Sequence, residues 1–380
     1  MKSFRYNTQT ALFFGRGTLR ENAEFFKPYG KRAVIFTSQF YEGCTNRGLA
    51  DIKAVFEQIG TEYLVLDWVH VDPPIDVVVK LAAAAAEFKP DYYIAVGGGS
   101  VIDSCKAAAL LNEHPGEDPY DVFYSLGHQS KSITTEIKAP IFAVPTTAGT
   151  GAEVTGFAVL TRADTHTKLA MYPMAFCTAA FVDPSYIEGS PDFLIHTGVI
   201  DALAHGVEGQ LNILHTPFNA VLSDYAFSLF KGFKDHMVSG ELTEEDYDNM
   251  ALCSFVQGMA FMQSCTTIPH GMGYPLSHIK GVNHGLSNGI FLGEYVRRFK
   301  DQSLVQPIVE KCGFKNSDEF AEWCKAITEE DVHIEVTEEE IQQWTDDFMK
   351  LDFRLAWNPE PLTREDIYNL YKISLKRYIK

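Results

Sequence analysis

Between Lys31 and Pro145, apolar runs of strand length alternate with stretches of helical spacing. Arg32–Thr37, Glu62–Leu66, Tyr92–Val96 and Ile141–Val144 are short and mostly apolar, and they read as strands. Gly48–Ile59, Ile75–Phe88 and Val101–Leu111 carry apolar residues at helical spacing, and the run Ala82–Ala86 adds strong helix formers. Such alternation predicts a parallel α/β sheet. After about Pro184 the period changes. Leu194–Leu211, Pro217–Val238, Glu244–Cys265, Gly285–Phe299, Thr337–Leu351 and Thr363–Ile379 all read as helices, with Ser190-Pro191 before the first. The pattern predicts two domains, an α/β half over residues 1–185 and an all-helical half over residues 186–380. The acidic segment Thr328–Glu340 reads as a solvated surface.

Composition narrows the function. A chain of 380 residues, 46% hydrophobic and 22% charged, can bury a sizeable core without disulfide staples. The net charge of −18 argues against binding to nucleic acid or to an anionic membrane. Seven cysteines, an odd number with no CxxC pair, do not make a disulfide framework or a cysteine zinc site. The first ten residues are polar, unlike a signal peptide. The apolar run Leu81–Ala86 is too short to span a bilayer. A cytoplasmic protein is expected.

Two turns and one constellation carry candidate chemistry. Tyr92–Val96 feeds Gly97-Gly98-Gly99-Ser100, and a helix follows. Glycines let a backbone approach a phosphate, and the free N–H groups of the helix start meet its charge. The run is not GxGxxG and would also serve as a plain tight turn. A second loop, Pro145–Glu153, is dense in small and hydroxyl residues and follows the next strand. Open α/β sheets bind ligands at such strand ends. Asp201 and His205 stand four apart in a helical stretch, on one face, and His270 and His284 follow. One carboxylate and three imidazoles suit Fe²⁺ or Zn²⁺, although an Asp/His pair at this spacing also makes an ordinary helix hydrogen bond.

Four segments together resemble the iron-containing (group III) alcohol dehydrogenases over nearly the whole chain. They are GGGSVIDSCK (Gly97–Lys106), PTTAGTGAEVT (Pro145–Thr155), GVIDALAHGVEG (Gly198–Gly209) and HGMGYPLSHIKGVNHG (His270–Gly285). The resemblance implies a Rossmann-like dinucleotide-binding half and a helical half, the architecture of dehydroquinate synthase. It implies a hydride transfer between NAD(P)(H) and a small primary alcohol or aldehyde, in a homodimer. Asp201, His205, His270 and His284 would hold one divalent metal, Fe²⁺ or Zn²⁺. Gly97, Gly98, Gly99, Ser100 and Asp103 would line the cofactor's pyrophosphate and nicotinamide side. Thr146, Thr147 and Thr150 would surround the cofactor, Lys168 would lie near a ribose, and Phe261 would pack near nicotinamide and substrate. Many members carry a further histidine four residues after the third ligand, and here Tyr274 takes that place, as a lining residue, a proton-passing residue or a simple packing residue. Ser38 falls where members often carry an Asp that binds the ribose 2′-hydroxyl, which implies that NADP(H) is preferred and NAD(H) still used.

A lyase of the dehydroquinate synthase type is the alternative, but it needs a basic site for an acidic, phosphorylated substrate. Between Asp183 and Arg297 only Lys231, Lys234, Lys280 and Arg297 are basic. A metal-binding protein without activity is the third reading, and the intact ligand set and turns oppose it.

Overall fold

A computed structural model describes Ser3, Phe4 and residues 6–39, 45–124, 137–162, 167–172, 174–350 and 352–380. Cys44, and Leu351 at the expected end of a helix, lie outside the described residues. By contacts the chain forms two units, Asn7–Pro191 and a second that joins Asp192–Lys380 to the start of the chain. Phe4 and Tyr6 belong to the second because their rings pack against Phe218, with centroids 6.2 and 4.8 Å away.

The first unit is α/β. Its strands are β1 (Ala11–Phe14), β2 (Arg32–Phe36), β3 (Glu62–Leu66), β4 (Tyr92–Gly97), β5 (Ile141–Pro145), β6 (Val159–Arg162), β7 (Thr167–Ala170) and β8 (Ala179–Val182). Six of them make one parallel sheet in the order β1-β8-β5-β4-β2-β3, and β6 and β7 form an antiparallel pair. Helices α1 (Thr18–Glu21), α2 (Arg47–Ile59), α3 (Ile75–Phe88), α4 (Gly99–Asn112) and α5 (Pro119–Tyr124) complete it. Val34 and Phe36 lie in one apolar cluster, and Ala33 and Ile35 lie in another. Both faces of the sheet are therefore covered, which explains why β2 and β4 read as unbroken apolar runs rather than alternating ones.

The second unit is helical: α6 (Asp192–Leu211), α7 (Pro217–Ser239), α8 (Glu244–Ser264), α9 (Ile268–Lys280), α10 (His284–Arg297), α11 (Gln302–Lys311), α12 (Ser317–Glu329), α13 (Glu338–Phe348), α14 (Asp352–Trp357) and α15 (Arg364–Ser374). Thr216, Thr243, Thr337 and Thr363 start α7, α8, α13 and α15 with reciprocal capping boxes. α6 is central and buried along nearly its whole length.

Several elements go beyond the sequence pattern. β1 and β8 are four residues each, too short to show a period. α9 was hidden by Pro269, Gly271, Gly273 and an internal Pro275. The acidic segment Thr328–Glu340 is not wholly solvated: Val332 and Val336 are buried, and Val336 bridges to Ile379.

Candidate active site

The helical unit gathers its charge around α6. Steps of four and three residues put Asp201, His205 and Glu208 on one face of that helix, and all three are buried. α9 contributes His270, and α10 begins with His284. α10 comes very close to α6 at Gly285, where a Cβ would sit 1.9 Å from the Thr197 carbonyl oxygen. No side chain fits there, so glycine sets the approach that brings His284 to Asp201.

One ligand atom each from Asp201, His270 and His284 lies within 4.8 Å of the others. His270 Nε2 is 3.3 Å from Asp201 Oδ1, is buried, and makes no hydrogen bond. His284 Nε2 is 3.9 Å from the same oxygen. The fourth expected ligand, His205, lies outside this group of three; its ring stacks on Phe261 at 4.1 Å and on His270 at 4.8 Å. The donors present are those that hold Fe²⁺ or Zn²⁺, and a buried imidazole nitrogen with no hydrogen bond fits that use.

A second set of residues fixes these groups. Glu208, fully buried, meets His270 Nδ1 at 2.5 Å through Oε1 and accepts the Thr267 N–H at 2.6 Å through Oε2. A proton held on Nδ1 by Glu208 would leave the Nε2 lone pair to a bound cation, the usual arrangement behind a metal-binding histidine. Asn288, one turn after His284, donates to Asp201 Oδ1 at 3.0 Å. Burial pulls the His270 imidazole down, but Glu208 and Asp201 more than offset it and push it up to about 9. Burial raises Asp201, yet His205, His270 and His284 hold its carboxyl well below the usual carboxylate range. Two buried carboxylates thus make a centre that draws positive charge.

Tyr274 lies one turn after His270 on α9, with its ring 6.4 Å from that of His284 and tilted by 20°. Its hydroxyl accepts from Arg354 Nη2 at 2.7 Å.

In the α/β unit, β4 ends at Gly97 and α4 starts at Gly99. Gly98 has φ −77°, an ordinary value, so the three glycines are not there for left-handed backbone. Their reason is space. A Cβ on Gly99 would lie 2.7 Å from Thr150 Cγ2, and one on Gly98 would lie 3.0 Å from Thr147 Oγ1. The second loop packs into the first, and the Thr146 N–H donates to the Gly97 carbonyl at 3.1 Å. Lys106, fully buried on α4, donates to the carbonyls of Ala152, Thr155 and Phe157 at 2.6, 2.8 and 2.9 Å.

The remaining cofactor candidates are placed as follows. Ser100 Oγ accepts the Asp72 N–H at 3.1 Å. Asp72 is left-handed at φ 50° and pairs with the buried Nζ of Lys168, linking two expected cofactor residues. Asp103 accepts the Val159 N–H at 3.0 Å, and burial pushes its carboxyl up to about 6. Ser38 follows β2 and is half-buried. The sequence reading missed Asp72, Lys106, Glu208, Asn288 and Arg354. Glu208 and Asn288 could have been found, since each shares a helix face with an expected ligand; Asp72, Lys106 and Arg354 carry no such signal.

The chain's relatives agree with this chemistry. Residues 9–184 match the family model for iron-containing alcohol dehydrogenase, and residues 194–375 match that for the C-terminal part of the same family. The chain is 31% identical over 312 residues to an NADPH-dependent butanol dehydrogenase of Clostridium saccharobutylicum, covering 80% of this chain and 75% of that one. It is 28% identical over 376 residues to lactaldehyde reductase of Escherichia coli K12, covering 94% and 96%. An iron-containing alcohol dehydrogenase of Thermotoga maritima superposes with a TM-score of 0.85 at 27% identity, covering 98% of this chain and 100% of the other. These likenesses do not favour the lyase alternative. The chain therefore belongs to the iron-containing alcohol dehydrogenase family, and it is an NAD(P)-dependent alcohol oxidoreductase.

Proposed function

We propose that Asp201, His205, His270 and His284 hold one divalent cation, Fe²⁺ or Zn²⁺, and that the substrate is a small primary alcohol or its aldehyde. The observation that carries this is the convergence of Asp201, His270 and His284, with Glu208 holding His270 Nδ1. When bound, the cation supplies Lewis-acid polarisation of the substrate oxygen, and nicotinamide exchanges the hydride. The chain's own residues position and exclude water. Gly97, Gly98, Gly99 and Ser100 offer the start of α4 to the pyrophosphate, and Thr146, Thr147 and Thr150 flank it. Asp103 and Lys168 stand beside that turn, Phe261 presents its ring near His205, and Tyr274 lines the centre beside His284.

NADP(H) is preferred and NAD(H) is used. The end of β2 offers Ser38, neutral and small, where a carboxylate would repel a 2′-phosphate by about 1–4 kcal/mol at a partly exposed site. Six described thiols, unpaired and mostly buried, suit the reducing cytoplasm. The enzyme works as a homodimer; the outer edge of β1, with Leu12 and Phe14 exposed, is a surface that such an assembly would cover.

The test is kcat/KM for an aldehyde panel with NADPH and with NADH, after loading with Fe²⁺ or Zn²⁺, in the wild type and in Ser38→Asp. Turnover with an NADPH advantage that falls about tenfold or more in Ser38→Asp is expected. A wild type that favours NADH tenfold, or an unchanged ratio in the variant, removes the cofactor assignment.

A further inference from the structure

The helical unit buries a guanidinium whose described partners are all neutral. Arg354, on α14, is 7% exposed. Its Nη1 donates to the carbonyl and hydroxyl of Thr266 at 3.3 and 3.2 Å and to the Thr267 carbonyl at 3.1 Å. Its Nη2 donates to the Tyr274 hydroxyl, and its Nε is buried with no hydrogen-bond partner. Among the described residues no carboxylate pairs with it directly, and Glu208 reaches it only through Thr267. A charge taken out of water without an opposite charge, and a buried donor left unused, are both costly. An oxygen-bearing ligand bonded to Tyr274 would offset the first of these costs.

The position says which ligand. Arg354 lies against α9 beside His270: a Cβ on Gly271 would fall 2.8 Å from Arg354 Cδ and 3.3 Å from its Nε. Tyr274 joins Arg354 to the metal centre, its hydroxyl on the guanidinium and its ring beside that of His284. Arg354 is the described hydrogen-bond partner of that hydroxyl, and the bond uses it as acceptor, so the phenolic proton has no described acceptor. A hydroxyl that accepts from a cation is a stronger donor in turn.

We propose that Tyr274 and Arg354 recognise a second oxygen on the substrate, a hydroxyl on the carbon next to the reacting one or a carboxylate that takes that carbon's place. The inference rests on the metal centre proposed above. With the reacting oxygen at Asp201, His270 and His284, a substituent on the adjacent carbon is the part of a small substrate within reach of a side chain packed beside His284. The Tyr274 hydroxyl donates to that oxygen, and Arg354 supplies the charge behind it. The substrate class is then a hydroxyaldehyde or oxoacid rather than a plain alkyl aldehyde.

The test compares propanal, glycolaldehyde and glyoxylate with the metal-loaded enzyme. Propanal and glycolaldehyde differ only by a methyl against a hydroxyl. Wild type is expected to favour glycolaldehyde or glyoxylate over propanal by about tenfold or more, because a site built to bond an oxygen rejects the analogue lacking it. The better of the two says whether hydroxyl or carboxylate is read. Tyr274→Phe should bring the glycolaldehyde-to-propanal ratio of kcat/KM close to one while metal content stays that of wild type. Arg354→Lys, which keeps the charge but loses the planar fork, should lose part of the preference. Calorimetric titration with glycolate reads the same contact without turnover, and its Kd should rise about tenfold in Tyr274→Phe. Equal wild-type kcat/KM for all three aldehydes, or an unchanged ratio and Kd in Tyr274→Phe, overturns the proposal. If no aldehyde is turned over, the reaction proposed above fails instead, and the glycolate titration alone decides this contact.

Discussion

The two units make binding sites by opposite means. In the α/β unit the candidate site is backbone: side chains are absent at Gly97, Gly98 and Gly99, and the space is taken by Val101 at the first and by threonines of a neighbouring loop at the other two. In the helical unit the candidate site is side chain: Asp201, Glu208, His205 and His270 are buried together with half-buried His284 beside them, and His270 Nε2 lacks a hydrogen bond. The first kind of site is finished before any ligand arrives. The second is left electrostatically incomplete, and its parts are held in place by residues such as Glu208 that would not touch a ligand. Steric substitutions should therefore damage the first, and charge substitutions the second.

The sharpest break is expected at Glu208. Glu208→Ala leaves His270 Nδ1 and the Thr267 N–H buried without their acceptor. It should cost about 3–5 kcal/mol in stability and lower metal affinity by about 10–100-fold, read by denaturant unfolding and chelator competition. Wild-type values of both would show that His270 needs no fixing.

A buried acid in the α/β unit gives the next effect, through pH. Burial pushes Glu153 up from 4.5 to about 7, its own backbone N–H and Lys106 offsetting only part. Between those values the native state keeps a proton that the unfolded chain has lost. Stability should then fall as pH rises from about 4.5 to 7, by up to about 3 kcal/mol, and level off above. Glu153→Gln should flatten that slope in thermal melts across the range. A slope equal to that of wild type would exclude Glu153 as its source.

The smallest effect is steric. Gly99→Val must displace Thr150, an overpacking of about 1–3 kcal/mol in stability, and the displaced loop should raise the Kd for NADPH by up to about 100-fold in fluorescence titration. Gly98→Ala meets the hydroxyl and methyl of Thr147 at 3.0 and 3.3 Å, looser than the contacts at Gly99, and should lose less. Equal losses would mean that a ligand, not the threonine loop, sets the need for glycine.

How much of this the sequence shows depends on distance along the chain. The alternation from Arg32 to Pro145 and the long helices after Pro191 are local periods, and the structure contains them. Asp201, His205 and Glu208 share one helix, so their common face is a matter of spacing. α9 escaped because Gly271, Gly273 and the internal Pro275 are poor helix formers, although Pro269 near its start and Gly281 at its end suit a helix. Arg354 reaches Tyr274 across 80 positions, and Asp72 reaches Lys168 from another element; no period encodes either contact. The glycine turn was legible as a turn, but its reason was not, since the threonines that require it lie on the next strand's loop.

The ammonium of Lys106 has a mechanical consequence. It is rooted in the helix that begins at Gly99, and it grips three carbonyls of the chain from Ala152 to Phe157. A loop tied this way cannot fray separately, because freeing it strands a buried cation. Its amide hydrogens should exchange with solvent on the slow clock of the sheet rather than the fast clock of an exposed connection. A dinucleotide bound at this loop as proposed would meet a surface already ordered, and little of its binding energy would go into stilling the chain.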